Sequence, residues 1–203
     1  MSPTIRFITH PDVVIDPVLP VPHWPLSPLG LARMKAGLAQ PWVRDIGAIW
    51  CSTERKAIDG AQILSDATAI PYATLATLGE NDRSATGYLP RAEFEATADL
   101  FFAHPTQSIR GWEPAIAAQA RIVAALETIL AATPEHLDPH RCDIAIVAHG
   151  GVGTLLICAL ENLPISRIHD QPAHPRKAGQ GGHYFAIDRR TRLLRHGWER
   201  LDA

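Results

Sequence analysis

Short apolar runs and longer stretches of helical spacing alternate along this chain. The runs at residues 4–9, 46–50 and 143–148 are rich in β-branched and apolar side chains and have the length of strands buried in a sheet. Between and after them, apolar residues recur every three or four positions, which predicts helices. Strands that alternate with helices indicate an α/β fold with a mostly parallel sheet.

Helices are predicted in five places. One begins at Ser27-Pro28, because serine caps free amides and proline suits the first helical turn, and Pro41 ends it. Others begin near residue 54, cover residues 92–102 and 115–132, and begin at residue 150. Their spacing predicts these inward side chains: Leu29, Met34 and Leu38; Ala57, Ala61, Ile63 and Leu64; Phe94, Leu100 and Phe101; Ile116, Ala120, Val123, Leu126 and Leu130.

Weaker patterns complete the predicted fold. Residues 70–75 predict a short strand, and residues 184–187 and 193–194 predict a hairpin, which gives the sheet an antiparallel edge. The polar stretch at 79–90 is more typical of a solvated loop than of a site. Because no internal repeat or linker interrupts the pattern, residues 1–203 are expected to form a single domain.

Composition narrows the class of protein. The chain has 203 residues, 46% of them hydrophobic, and a net charge of −2, which favours a soluble globular protein without a nucleic-acid surface. No apolar run approaches the roughly 20 residues of a membrane span, and the N-terminus does not look like a secretory signal. Cys51, Cys142 and Cys158 are an odd number, which favours reduced thiols and a cytoplasmic location.

Residues suited to anion binding follow three of the predicted strands. His10 follows the first, Ser52 and the pair Arg55-Lys56 follow the second, and His149-Gly150-Gly151 joins the third to a helix. Ligands of open α/β sheets lie at the carboxyl ends of strands, and helix N-termini attract anions. A structural histidine or a capped helix explains each feature alone, but together they predict a site suited to phosphate.

The segments that carry these residues have a definite order. Thr9-His10-Pro11 comes first, then residues 26–30, residues 51–57, Glu80 and finally Ala148-His149-Gly150-Gly151. This order resembles the histidine phosphatase (phosphoglycerate mutase-like) superfamily, whose members carry Arg-His-Gly, Leu-Thr-x-x-Gly, Ser-Ser-x-x-x-Arg-Ala, a glutamate loop and His-Gly-Gly. The resemblance implies a three-layer α/β/α sandwich, mostly parallel with an antiparallel edge, of the phosphoglycerate mutase-like type.

The resemblance also implies a mechanism. His10 would take the phosphoryl group, with its other ring nitrogen held by a backbone carbonyl, and His149 would donate to the equatorial oxygens. Glu80 would protonate the leaving alkoxide and then activate water. A neutral imidazole is a good nucleophile near pH 7, and the scheme requires no metal or other cofactor. The implied enzyme is a phosphoric monoester hydrolase. A mutase is less favoured, because only Arg83 in the 79–90 loop could hold a second anionic group.

The chain departs from the family pattern around the nucleophile. Thr9 and Lys56 stand where the family has two arginines, and Pro11 removes a backbone N–H. A hydroxyl and a point charge therefore replace two guanidinium groups, each of which can bind two oxygens at once. Asp16 would repel a dianionic phosphate if it faced the pocket.

Three functions therefore remain open. In the first, the chain is still a phosphatase for a small phosphate ester, with Arg55, Arg83 or a basic residue between 167 and 177 as the replacement cation. In the second, it is a weakened or inactive anion-binding or regulatory module. In the third, the site acts on a non-phosphate substrate. Retention of both histidines and the glutamate favours the first function. The sequence leaves open whether the protein is a monomer or a homodimer. The candidate binding residues are Thr9, Asp16, Ser52, Arg55, Lys56, Arg83 and Gly150.

Overall fold

A mixed sheet forms the centre of the molecule. The computed structural model describes residues 3–134, 141–172 and 181–203. Within them, one sheet contains the strands β1 (Thr4–Thr9), β2 (Ile46–Cys51), β3 (Tyr72–Thr74), β4 (Asp143–Ala148), β5 (His183–Asp188) and β6 (Leu194–Arg200), in the order β3-β2-β4-β1-β5-β6. Strands β3, β2, β4 and β1 are mutually parallel, whereas β5 is antiparallel to both β1 and β6. The predicted α/β fold with an antiparallel edge is confirmed.

Helices cover both faces of this sheet. In the described ranges they are α1 (Pro28–Ala36), α2 (Arg55–Thr68), α3 (Arg91–Ala103), α4 (Ala115–Ala132) and α5 (Gly150–Leu160). Helix α1 begins as predicted, because the Ser27 hydroxyl accepts a hydrogen bond from the Gly30 amide at 3.0 Å. The predicted side chains that are fully buried are Met34, Ala57, Ala61, Leu64, Phe101 and Leu126.

Alternation along the strands divides the core into two layers. In β4, Ile144 and Ile146 pack in one cluster with side chains of α4 and α5, whereas Ala145 and Val147 pack in another with α1 and α2. Successive side chains of a strand point to opposite faces, so a strand with no polar face must be covered on both sides. This arrangement is the predicted three-layer α/β/α sandwich.

The buried face of α4 differs from the prediction. Ile116 is 47% exposed and Ala120 is also exposed, whereas Ala118, Ile122 and Ala125 are buried. The buried face of α4 is therefore shifted by about one residue from the predicted face. Small alanine side chains allow the helix to pack closely against the core, whereas the prediction was based on the long apolar side chains.

Two other predicted core positions are wrong. Leu29 is 46% exposed, and Leu100 also faces solvent. In α1 the inner position belongs instead to Gly30, where a Cβ atom would lie 2.1 Å from the carbonyl oxygen of Asp12. In α3 the neighbouring Phe102 is buried in place of Leu100.

Among the helices that the structure describes, α4 is the one that is long and apolar enough to cross a membrane. It has 18 residues and a mean hydropathy of 1.5, contrary to the expectation that no apolar run approaches such a span. Its inner face lies in the core described above, and the core helix of a folded domain meets the same two criteria.

The buried Arg33 fastens the loop that follows β1. Its guanidinium donates to the carboxylates of Asp12 at 2.8 Å and Asp202 at 3.0 Å. It also donates to the carbonyl of Gly181 at 3.0 Å. Gly181 has φ +80°, and a Cβ atom there would lie 2.1 Å from the carbonyl oxygen of His10. The backbone around His10 is therefore held between α1 and the residues that precede β5.

Candidate active site

The two strand-end histidines lie together at one edge of the sheet. Strands β1 and β4 are parallel neighbours in which Thr9 pairs with Ala148, so the residues that follow them emerge side by side. The rings of His10 and His149 have centroids 5.1 Å apart and meet edge to face at 69°. This pair is the centre of the candidate site.

His10 has a defined tautomer and charge. Its Nδ1 lies 2.9 Å from the carbonyl oxygen of Pro11, which can only accept, so Nδ1 carries the proton and Nε2 carries the lone pair. Burial, aided by the positive charge of Lys56, lowers the pKa of His10 to about 4. The imidazole is therefore neutral at physiological pH, with one nitrogen in a state suited to nucleophilic attack.

His149 is fully buried and bonded through the opposite nitrogen. Its Nε2 lies 2.9 Å from the Ser52 hydroxyl and 3.3 Å from Oε1 of Glu54. Its Nδ1 is buried and has no hydrogen-bond partner among the described residues. Burial holds the pKa of His149 well below its usual value. The ring therefore has one nitrogen engaged by the protein and one unused.

Glu54 is a site residue that the sequence analysis missed. Its Oε1 accepts from the Glu80 amide at 2.9 Å, and its Oε2 accepts from the ammonium group of Lys56. Burial alone would raise the pKa of Glu54, but the proximity of His149, the positive charge of Lys56 and the hydrogen bonds from Lys56 and the Glu80 amide outweigh it and hold that pKa below its usual range. Its position inside the 51–57 segment, two residues before Lys56, was the available signal.

The cation at the second arginine position of the family pattern is already engaged. Lys56 is 2% exposed, and its Nζ donates to the carbonyl of Val21 at 3.1 Å as well as to Glu54. Burial lowers the pKa of this lysine. Ser52 is equally buried, and its hydroxyl accepts from the Glu54 amide at 3.2 Å. Both predicted binding residues therefore lie at the site, but each already has protein partners.

Glu80 is partly buried, and its carboxylate faces helix α5 rather than solvent. Its carboxylate accepts hydrogen bonds from the amides of Gly151 at 3.2 Å and Val152 at 3.0 Å, at the N-terminus of α5. Burial raises the pKa of Glu80. The interpretation of the 79–90 stretch as solvated is wrong at this residue. These two helix amides, which were expected to bind a ligand anion, bind a carboxylate of the chain itself.

Thr9 and Gly150 make room for a glutamine. The Thr9 hydroxyl donates to Oε1 of Gln171 at 2.9 Å and accepts from the His183 amide at 3.0 Å. A Cβ atom on Gly150 would lie 2.3 Å from Nε2 of Gln171. An amide side chain therefore packs against Thr9, the position of the family's first arginine. No local pattern in the sequence distinguished Gln171.

Two predicted binding residues lie away from the histidines. The Arg55 side chain is 62% exposed and pairs with Asp59 at 2.6 Å on the outer face of α2. Asp16 accepts a hydrogen bond from the Val18 amide at 2.9 Å, within an exposed turn of its own loop. Arg55 is therefore engaged with Asp59 rather than with the histidines, and Asp16 is engaged in a turn of its own loop.

Among the candidate replacement cations that the structure describes, Arg83 is the one close to the site. Its guanidinium carbon lies 4.9 Å from the centroid of the Phe94 ring, and it forms no ion pair with a described residue. The positive charge of Arg83 also lowers the pKa of His10, by less than burial and the charge of Lys56 do. Arg167 instead pairs with carboxylates of α3, and residues 173–177 lie outside the described ranges.

A metal centre has no obvious place in this arrangement. Within residues 3–134, 141–172 and 181–203, no three histidine, cysteine, aspartate or glutamate side chains are grouped so that they could hold a metal ion. Cys51 is buried at the end of β2, and burial raises the pKa of its thiol to about 12, so it remains protonated.

Arg121 of α4 fixes the loop that carries Glu80. Its guanidinium donates to the carbonyls of Thr77 and Gly79, both at 2.9 Å, and to that of Glu80 at 3.2 Å. The same guanidinium donates two hydrogen bonds to the Glu113 carboxylate, from Nε to Oε1 at 3.0 Å and from Nη2 to Oε2 at 2.7 Å. A planar guanidinium is suited to hold several acceptors at once, so Arg121 determines where the Glu80 backbone lies.

Replacing Arg121 with methionine is expected to lower the free energy of unfolding by about 2 kcal/mol, because buried carbonyls and a carboxylate lose their charged donor. Hydrolytic activity should fall more than stability explains, since Glu80 is no longer held in place. Urea unfolding and steady-state kinetics below the transition measure the two effects. Arg44→Met, at an 82% exposed side chain, is the matched control. Unchanged activity in a folded Arg121→Met protein would exclude this positioning role.

The chain is similar to known proteins in sequence and in fold. A family model described as the histidine phosphatase superfamily (branch 1) matches residues 21–177. A mycobacterial glucosyl-3-phosphoglycerate phosphatase in complex with inorganic phosphate superposes with a TM-score of 0.77 at 21% identity, over 100% of both chains. The alpha-ribazole phosphatase from Shigella flexneri superposes with a TM-score of 0.67 at 19% identity, over 98% of this chain and 96% of its own. A comparison with curated proteins found no match. At these identities the solved structures show the fold.

Proposed function

Because the chain belongs to the histidine phosphatase superfamily (branch 1), we propose that it is a phosphatase that hydrolyses a small phosphomonoester through a phosphohistidine at His10. The observation that carries this proposal is the state of the His10 ring. Its Nδ1 is committed to the Pro11 carbonyl, and its Nε2 lone pair remains beside the second histidine. A neutral imidazole held in one tautomer is the form that attacks phosphorus.

The proposed reaction has two steps. In the first, Nε2 of His10 forms a bond to phosphorus while the bond from phosphorus to the ester oxygen breaks, and Glu80 gives its proton to the leaving alkoxide. In the second, water attacks the phosphohistidine, Glu80 takes a proton from that water, and the P–N bond breaks to release phosphate. Arg83 supplies positive charge near the phosphoryl oxygens, and Nδ1 of the neutral His149 ring supplies a hydrogen bond in the tautomer that carries the proton on Nδ1.

The test is direct. The purified protein is incubated with p-nitrophenyl phosphate and with a panel of sugar, glycerate and nucleoside monophosphates, and released phosphate is measured. Acid-quenched samples are analysed by mass spectrometry for a phosphoryl group on His10. No turnover above background with any ester, together with no labelled histidine, would reject the proposal.

The pH dependence of kcat/KM is expected to have an acidic optimum. His10 must be neutral to attack, so activity should rise with pH through its pKa of about 4. Glu80 must be protonated to act as an acid, so activity should fall as pH rises through its raised pKa. Steady-state kinetics between about pH 3.5 and 9 measure both limbs. An optimum on the alkaline side of neutrality would contradict these assignments.

A second candidate function is a weakened anion-binding module of the same fold. The Lys56–Glu54 pair favours it, because that pair leaves the buried ammonium group without free charge for a ligand. Thr9 favours it as well, because its hydroxyl is already bonded within the protein. Thermal-shift measurements with phosphate, sulfate and small carboxylates separate the candidates. Strong stabilisation by an anion without turnover would favour the binding module.

A further inference from the structure

We propose that Glu54 makes the site selective for a phosphoryl group that carries one negative charge, by competing with the ligand for Lys56 and His149. A phosphodiester and a singly protonated phosphomonoester belong to this class, whereas the dianionic form of a monoester does not. The inference rests on the proposed function only in placing the phosphoryl group beside His10 and His149.

The first support is the engagement of Lys56. This ammonium group is 2% exposed, and its contacts among the described residues are the Glu54 carboxylate and the Val21 carbonyl. An ammonium group binds phosphate as a point charge. A carboxylate in direct contact cancels that charge before any ligand arrives, so an incoming phosphoryl group must share Lys56 with Glu54.

The second support is that Glu54 is fixed in place. One of its oxygens accepts from the Glu80 amide at 2.9 Å and lies 3.3 Å from Nε2 of His149, while the other accepts from Lys56. Glu54 therefore cannot turn away from the site without breaking contacts with three separate segments. It is a permanent negative charge of the pocket and not a mobile side chain at its entrance.

The third support is the balance of charge around the histidines. Lys56 and Arg83 are the cations that act on His10, and Glu54 is the carboxylate that opposes them. With both histidines neutral and Glu80 protonated as the acid, the described residues of the site carry one positive charge in excess. A monoanionic phosphoryl group balances that excess, whereas a dianionic group leaves an uncompensated negative charge, which is costly where water is excluded.

The test compares methyl phosphate with dimethyl phosphate by isothermal titration calorimetry, so it needs no turnover. Methyl phosphate changes from monoanion to dianion near pH 6, whereas dimethyl phosphate is a monoanion throughout. The groups that act on Glu54 or are acted on by it are Lys56, His149, Glu80 and His10. Their titration affects the binding of both ligands, and the ratio of the two Kd values removes the part that is common to both. For the unmodified protein, the ratio of the methyl phosphate Kd to the dimethyl phosphate Kd should rise about ten-fold from pH 5 to pH 8.

The variant Glu54→Gln removes the charge while retaining the shape. At pH 8 it should bind methyl phosphate about ten-fold more tightly than the unmodified protein does, and dimethyl phosphate only about three-fold more tightly, because the repulsion that is removed scales with the charge of the ligand. Glu127→Gln, an equal loss of charge at an exposed side chain of α4, should change neither ligand.

Several outcomes would overturn the inference. These are a constant or falling Kd ratio in the unmodified protein, equal effects of Glu54→Gln on both ligands, and no binding of methyl phosphate by either protein. The ratio in the unmodified protein decides the matter even if the variant does not fold. An absence of hydrolysis alongside the expected Kd ratio would reject the phosphatase and leave the charge selectivity intact.

Discussion

Replacing His10 with alanine is expected to lower phosphomonoester hydrolysis by about three orders of magnitude or more, because the group that accepts the phosphoryl is lost. In the structure, no other imidazole has the same combination of a committed Nδ1, a free Nε2 and a neighbouring histidine, within the described residues. The kcat/KM for p-nitrophenyl phosphate and the phosphoryl mass increment on acid-quenched protein measure the effect. The hydrolysis of the ester and the phosphoryl label on the protein should disappear together.

The control for this substitution is His104→Ala. His104 is an exposed residue that follows the last turn of α3, so its loss should leave the rate and the phosphoryl label unchanged. Circular dichroism and thermal unfolding of both variants test for folding. A folded His10→Ala protein with more than about a tenth of the original kcat/KM would show that His10 is not the nucleophile.

Replacing Glu80 with glutamine is expected to lower hydrolysis of an alkyl phosphate by about 10²–10⁴-fold, because an amide cannot protonate the leaving alkoxide. The amide oxygen can still accept from the amides of Gly151 or Val152, so the loop should remain in place. The loss should be much smaller with p-nitrophenyl phosphate, since p-nitrophenolate leaves without a proton. The difference between the two substrates, measured by kcat/KM, is the expected result.

Glu93→Gln is the matched control, since its side chain is 56% exposed in the first turn of α3. It should affect both substrates equally and slightly. If Glu80→Gln slows both esters by the same factor, Glu80 positions other groups but does not deliver the proton. The alkaline limb of the pH profile should also become shallower in Glu80→Gln, because the part assigned to the Glu80 proton is lost while the ionisation of the ester remains.

The sequence predicted those features that depend on local pattern. The unbroken apolar run of β4 predicted that both faces of this strand are buried. In the structure, Ile144 packs in the cluster on one face and Ala145 packs in the cluster on the other. The closeness of His10 and His149 followed from strand direction, because parallel strands end at the same edge of a sheet. Family resemblance then supplied the roles of these residues, which pattern alone did not.

The features that the sequence did not predict depend on contacts between distant segments. Glu80 and Glu54 are 26 residues apart, and Thr9 and Gln171 are 162 residues apart. No periodicity shows that a carboxylate from a polar loop reaches the amides of a buried helix. The placement of Arg55 has a simpler cause. Consecutive residues of a helix point about 100° apart, so the neighbour of a buried Lys56 faces solvent.

The pairing of Glu54 with Lys56 has an evolutionary consequence. Loss of the carboxylate alone leaves a buried ammonium group unpaired, and loss of the lysine alone leaves a buried carboxylate, so either single change costs stability. Positions 54 and 56 are therefore expected to change together among relatives. A lineage in which position 56 is uncharged should also lack an acidic residue at position 54, and the path between the two states should pass through the double substitution.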